Sequence, residues 1–327
     1  MSHPPDRPRE APVAVSAVLD TLRSWSDAAH SAYAPNTLRA WRADWAEFQN
    51  ICSNGGLAVL PAAPTTVSQF IRVCVGKGKR PATIRRYCAT IARVHLAARQ
   101  PNPCADEEVK LALKSMSRAQ PARQRQARAL SWSDIEKFLR GAGEGLQARR
   151  EKAMLCVAYD TMARRRELVA LNVEDLHFEG GSGTALIRRS KTDQAGEGAL
   201  AYLSYETVRE VRDWLQAAEI KDGALFRGFV GRRRLGERLH ADQVADIFKR
   251  VARWLGLPAS EVAQVSGHSI RVGAAQDLLA LNIDLASIMQ AGRWKDTRMP
   301  MRYAERVVAA RGGMARAARA QGRDGLS

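Results

Sequence analysis

Apolar positions in the first third of the chain recur at three- and four-residue steps. Leu38, Trp41, Trp45 and Phe48 form one stripe, and Val67, Phe70, Ile71 and Cys74 a second that opens after Thr65 and Thr66. Ile84, Cys88, Ile91 and His95 form a third. A period near 3.6 puts each set on one face, so the spacing predicts three amphipathic helices. Pro81 suits the first turn of the third. A shorter helix through Val109, Leu113 and Met116 closes this region. Residues 117–129, SRAQPARQRQARA, hold a proline and no large apolar side chain, the pattern of an exposed linker. Structure restarts at Ser131, which stands in capping-box spacing with Asp134. Beyond it helices flank an alternating stretch, LHFEGGSGTALIRRSKTDQAGEGALAYLS, with two glycine-rich turns. This predicts a small antiparallel sheet with strands near 185–189 and 200–203. The expected organisation is a polar tail (1–12), a helical domain (13–116), the linker (117–129) and a second domain (130–327). The class is mainly α with a small antiparallel β-sheet in the second domain.

The length of 327 residues agrees with two domains at about 150 residues each, and 46% hydrophobic residues suffice for their cores. Five cysteines (52, 74, 88, 104 and 156) are odd in number and form no CxxC pair. A disulfide scaffold or a standard zinc module is therefore excluded, and a reducing, cytoplasmic setting is expected. The opening MSHPPDRPREAP lacks the apolar core of a signal peptide, and the uncharged stretch 49–71 is broken by prolines, so no membrane partner is expected. No glycine-rich phosphate-binding fingerprint supports nucleotide binding.

Charge changes the picture most. Lys and Arg number 51 against 34 Asp and Glu, a net +17. Residues 72–99 carry eight Lys or Arg and no acid, and residues 114–128 carry five more, again with none. Blocks of one sign concentrate potential where a solvated face mixes signs, and the partner they point to is a polyanion, above all nucleic acid. Binding through them should weaken steeply with salt, because each neutralised phosphate releases counterions. Arg86 and Arg93, seven residues apart, share a face of the third helix away from its apolar stripe. Lys77, Lys79, Arg80, Arg85, Arg86 and Arg93, with Arg123 and Arg125 of the linker, are the candidate DNA-binding residues.

Four stretches of the second domain carry side chains suited to phosphate chemistry. AYDTMARRRELVAL sets Arg164 and Glu167 one helical turn apart. RSKTDQ puts Lys191 in a tight loop between strands. SGHSIRVGAAQDLL places His268 and Arg271 on one helix face, and IMQAGRWKDTRMPMRYAERV carries Trp294 and, nine residues on, Tyr303. Guanidiniums, an imidazole and an indole N–H are donors that fit the non-bridging oxygens of a phosphodiester. A tyrosine can attack phosphorus and a lysine can protonate the departing 5′ oxygen. No carboxylate cluster for magnesium stands beside them, so no cofactor is expected. Singly, each residue has an ordinary reading: a core tyrosine or tryptophan, a solvated arginine run, a decorated turn. The order and spacing of the set carry the argument.

That ordered set, Arg…Lys…His-x-x-Arg…Trp…Tyr, resembles the tyrosine recombinases of the phage integrase family. The similarity is clearest from about residue 153 to 314, and GHSIRVGAAQDLL and IMQAGRW are similar to its Cre-like branch. The resemblance implies a two-domain, C-shaped clamp around double-stranded DNA. It implies Tyr303 as the nucleophile of a 3′-phosphotyrosyl link, with Arg164 and Arg271 gripping the scissile phosphate. His268 and Trp294 would complete the pocket, Lys191 would be the general acid, and Glu167 would orient the site. Arg164 is preferred over its neighbours because it alone precedes Glu167 by three. Four protomers would act on two short inverted-repeat sites through a Holliday junction, with neither ATP nor metal. The family's carboxy-terminal helix, which docks into a neighbouring protomer, would begin near Met314; the alanine- and arginine-rich tail GGMARAARAQGR offers it little apolar surface. About a dozen polar residues precede the first helix, too few to fold by themselves, so an arm-binding domain is not expected. The family implies a bacterial, plasmid or phage origin and use at the nucleoid. A type IB topoisomerase and a catalytically silent DNA-binding clamp are the two rival readings.

Overall fold

The computed structural model describes residues 15–119, 126–188, 198–231, 234–303 and 305–323. The chain forms two compact units, Met1–Gln124 and Arg125–Ser327.

The first unit is helical: α1 (Val15–Ala32), α2 (Pro35–Asn54), α3 (Pro64–Gly76), α4 (Pro81–Ala97) and α5 (Glu107–Ala119). Proline opens α2, α3 and α4 at the first turn, where its missing N–H costs nothing. The expected stripes converge on one core, with Phe48, Val67, Phe70, Ile71, Cys74, Ile84, Cys88 and Ile91 buried. His95 belongs there through hydrogen bonds: its Nε2 accepts from the Ala62 N–H at 2.9 Å, and Nδ1 faces the Ile91 carbonyl at 2.8 Å. Periodicity did not reveal Asp44, which lies buried within the first stripe. Arg86 reaches it at 2.7 Å and Thr90 at 3.1 Å, which satisfies a carboxylate that burial would otherwise leave costly.

The second unit begins with the short helices α6 (Trp132–Gly141), α7 (Leu146–Asp160) and α8 (Arg165–Ala170). A sheet of β1 (Leu176–Glu179), β2 (Ser182–Ile187) and β3 (Ala199–Leu203) follows, antiparallel in the order β1-β2-β3. Register pairs Thr184 with Tyr202 and Ile187 with Ala199. Helix α9 (Tyr205–Ala217) leads to a second hairpin, β4 (Arg227–Val230) with β5 (Arg234–Arg238), which the alternation did not predict. Then come α10 (Gln243–Trp254), α11 (Ala259–Val262), α12 (Ser269–Ala280), α13 (Leu285–Gly292), α14 (Arg298–Tyr303), α15 (Glu305–Arg311) and α16 (Gly313–Ala320). Helix α7 is the hub, buried from Arg150 to Ala158, and Trp214 of α9 packs against it with its indole N–H on the Leu225 carbonyl. No described helix is long and apolar enough to cross a membrane.

The segment expected to link the domains is partly structured. Residues 117–119 finish α5, and residues 126–132 are fastened to the second unit. Arg128 N–H donates to the Gln264 carbonyl and Leu130 N–H to that of Ser269, at 3.1 and 3.0 Å. The Ser131–Asp134 capping box forms as its spacing implies. Helix α12 comes so close here that a β-carbon on Gly273 would lie 1.9 Å from the Leu130 carbonyl oxygen. Gly273→Ala is therefore expected to destabilise the second unit by about 1–3 kcal/mol through forced separation of these backbones. Chemical denaturation checks it, and an unchanged midpoint would mean that the approach is not tight.

Candidate active site

The ends of short elements carry the site. Arg164 is the residue before α8 and is half-buried. Its own N–H donates to Oε2 of Glu167 at 2.9 Å and its Nη1 to Oε1 at 2.6 Å. Glu167 thus caps the helix and holds the arginine at once. Burial pushes the Glu167 carboxyl up, but the hydrogen bonds and charge from Arg164, joined by Arg293, outweigh it and leave it below the ordinary carboxylate value.

His268 precedes α12 and Arg271 lies in its first turn. Arg271 is almost wholly buried, and its guanidinium spans two main-chain carbonyls, those of Met162 and Gly292. Burial, then the charges of Arg164 and Arg293, push it down to about 10, so it is a full cation at neutral pH. Such crowding of like charges in a dry place is costly unless an anion joins them. His268 stands at the exposed rim, yet desolvation by the surrounding protein, then the charges of Arg271, Arg164 and Arg165, hold its imidazole below the ordinary histidine value. Its neutral form persists to lower pH than that of a free histidine.

Trp294 lies flat under this cation, with Arg271 Cζ 4.3 Å from the ring centroid, a cation–π contact. Gly292 makes the room: a β-carbon there would fall 2.1 Å from the indole. Tyr303, the last residue of α14, meets Trp294 edge to face at 5.9 Å between ring centroids. Two glutamines absent from the sequence reading hold its backbone, Gln126 Nε2 and Gln276 Nε2, each donating to the Tyr303 carbonyl at 2.8 Å.

Six of the seven sequence candidates, Arg164, Glu167, His268, Arg271, Trp294 and Tyr303, therefore share one locality. Lys191 lies outside the described residues. A residue that the sequence reading missed, Arg293, completes the group. Its Nη2 donates to Glu167 Oε2 at 3.0 Å and its Nη1 to the Thr161 carbonyl at 2.9 Å. The only available signal was its place directly before Trp294. Among the described residues, no three His, Cys, Asp or Glu converge as a metal-binding group would.

The described candidate DNA contacts of the first unit, Lys77 to Arg93, are on its surface, with different commitments. Lys77 and Lys79 stand 3.8 and 3.7 Å from Glu47, too loose to hold them. Arg80 is exposed just before α4. Arg85 donates to Ser117 Oγ at 2.5 Å, Arg86 is engaged by Asp44, and Arg93 packs over Tyr33 and Trp41. Arg123 and Arg125 lie outside the described residues.

Residues 128–308 match the phage integrase family. The chain is 30% identical over 284 residues to an integrase/recombinase xerD homolog of Selenomonas ruminantium, covering 83% of this chain and 82% of that protein. It is 25% identical over 295 residues to the recombinase cre of Escherichia phage P1, covering 85% and 84%. Among solved structures, the fold resembles the Tn1549 transposon integrase in complex with transposon right end DNA, with a TM-score of 0.60 at 13% identity over 89% of this chain and 98% of that one. The chain belongs to the phage integrase family and is a tyrosine recombinase, an enzyme of site-specific DNA recombination.

Proposed function

We propose that the enzyme cuts and rejoins double-stranded DNA at short inverted-repeat sites through a 3′-phosphotyrosyl intermediate. The observation that carries this reading is the contiguous row of Arg271, Trp294 and Tyr303 beside the Arg164–Glu167 pair. Arg164 and Arg271 grip the non-bridging oxygens of the scissile phosphate, with the Trp294 indole beside them. The Tyr303 oxygen attacks phosphorus, the bond from phosphorus to the 5′ oxygen breaks, and the phenolic proton leaves to a base, for which neutral His268 is suited. Lys191 supplies a proton to the 5′ oxygen. Fixed donors aimed at the developing charge contribute about 10²–10³-fold each. The phosphodiester's energy is kept in the tyrosyl ester, so rejoining to another strand needs neither ATP nor metal.

The basic residues of the first unit, Lys77, Lys79, Arg80 and Arg85 foremost, together with Arg123 and Arg125, bind the flanking duplex. Four protomers act on two sites and pass through a Holliday junction. Helix α16 buries none of its residues within this chain, and Met314 is among its exposed side chains, which leaves this helix available to a neighbouring protomer.

Covalent capture from a random duplex library tests the reading. The protein is mixed with the library and denatured in detergent, and the DNA that stays attached is sequenced. Adducts that share an inverted repeat are expected. Adducts without a shared sequence point instead to topoisomerase-like relaxation, and enrichment without adducts points to a silent binder. For Lys191→Ala, cleavage is expected to slow by about 10²–10⁴-fold and to recover on DNA with sulfur as the 5′ leaving atom, which needs no proton. Absence of that recovery removes Lys191 from the acid role.

A further inference from the structure

Arg293 stands where helix chemistry ordinarily puts glycine. It closes α13 in the left-handed conformation, at φ 52° and ψ 46°, where a β-carbon crowds the backbone. Its side chain is 11% exposed, so a cation has also been taken out of water, and its Nε is buried with no hydrogen-bond partner. Two separate costs meet in one residue that touches the site, a pattern found where local strain serves function. The destination of the guanidinium is specific. Its Nη2 joins the Arg164 N–H on Oε2 of Glu167, which leaves Oε1 for Arg164 Nη1.

We propose that Arg293 is a positioning residue for strand cleavage: by occupying one oxygen of Glu167 it keeps Arg164 tied end-on through Nη1 and turns the rest of that guanidinium to the scissile phosphate. Without Arg293, Oε2 of Glu167 keeps only the Arg164 N–H and can accept the Arg164 guanidinium as well, a two-pronged pair that withdraws the fork from DNA. Arg293 also adds a third guanidinium to the field on the phosphate. The inference rests on the active-site reading above.

The test compares Arg293→Gly and Arg293→Lys with wild type on the duplex recovered by covalent capture. Three readouts are used: thermal midpoint, affinity in a Tyr303→Phe background, and the single-turnover rate of adduct formation at saturating DNA. Glycine relieves the backbone and removes the buried charge, which offsets the donor lost from the Thr161 carbonyl, so its midpoint is expected to stay near wild type and its affinity to hold. Its adduct rate is expected to fall by about 10–100-fold, the scale of lost support behind a reacting group. Lysine keeps the charge without the fork and should recover part of the rate. A merely structural residue would lose midpoint and rate together, and that result overturns the proposal, as does an Arg293→Gly rate equal to wild type. If wild type itself forms no adduct, the active-site reading fails and takes this inference with it.

Discussion

Tyr303→Phe is expected to leave duplex affinity within about twofold of wild type and to cut covalent adducts by about 10⁴-fold or more, below detection in a denaturing gel. The asymmetry follows from what the residue touches. Its ring packs edge-on to Trp294, and its carbonyl is held by Gln126 and Gln276; phenylalanine keeps all three contacts. Only the oxygen proposed to attack phosphorus is removed. A stable variant that still forms adducts would move the nucleophile elsewhere. A variant that loses affinity would make the hydroxyl a binding group instead.

Arg271→Ala is expected to damage both stability and chemistry. In the wild type its guanidinium satisfies the Met162 and Gly292 carbonyls in a buried place. Truncation leaves both without that donor and removes the cation packed on Trp294, a loss of about 2–4 kcal/mol. At a temperature where the variant remains folded, cleavage should also fall by about 10²–10³-fold, the usual worth of one fixed donor to a transition state. Arg271→Lys retains a charge, but a single ammonium lacks the planar fork that spans two carbonyls and a phosphate, so most of the rate loss should persist. The two effects separate in a denaturation curve and a single-turnover assay. A folded Arg271→Ala enzyme cleaving at the wild-type rate would remove Arg271 from the grip on phosphate.

Much of the molecule was legible in the sequence because its signals are local. Amphipathic stripes placed α2, α3 and α4, the Ser131–Asp134 spacing placed α6, and glycine-rich turns placed β3 and the second half of β2, which starts three residues before the expected 185–189. The β4–β5 hairpin was not legible: glycine and arginine run through both strands, and alternation is weak. Asp44 was passed over because a polar residue in an apolar stripe makes sense only once Arg86 and Thr90 are known to meet it. Within the site, six candidates that the structure brings together were legible because their types and order suit phosphate chemistry. Arg293, Gln126 and Gln276 were not. Their partners are a carboxylate 126 positions away and carbonyls 177 and 27 positions away, pairings that only the tertiary fold creates.

Several of the contacts that aim this site share one trait with evolutionary weight. Arg271 rests on the carbonyls of Met162 and Gly292, Arg293 on that of Thr161, and the glutamines on that of Tyr303. Every residue supplies a carbonyl, so the docking points belong to the path of the chain and not to the letters written along it. Those acceptors outlast a change of side chain at Met162 or Thr161 that burial and, at Met162, a φ of 47° allow, provided the backbone keeps its course, whereas Gly292 stays pinned by the indole beside it. A lineage of such enzymes can therefore diverge around the candidate site while inheriting the same backbone supports for the arginines proposed to grip phosphate.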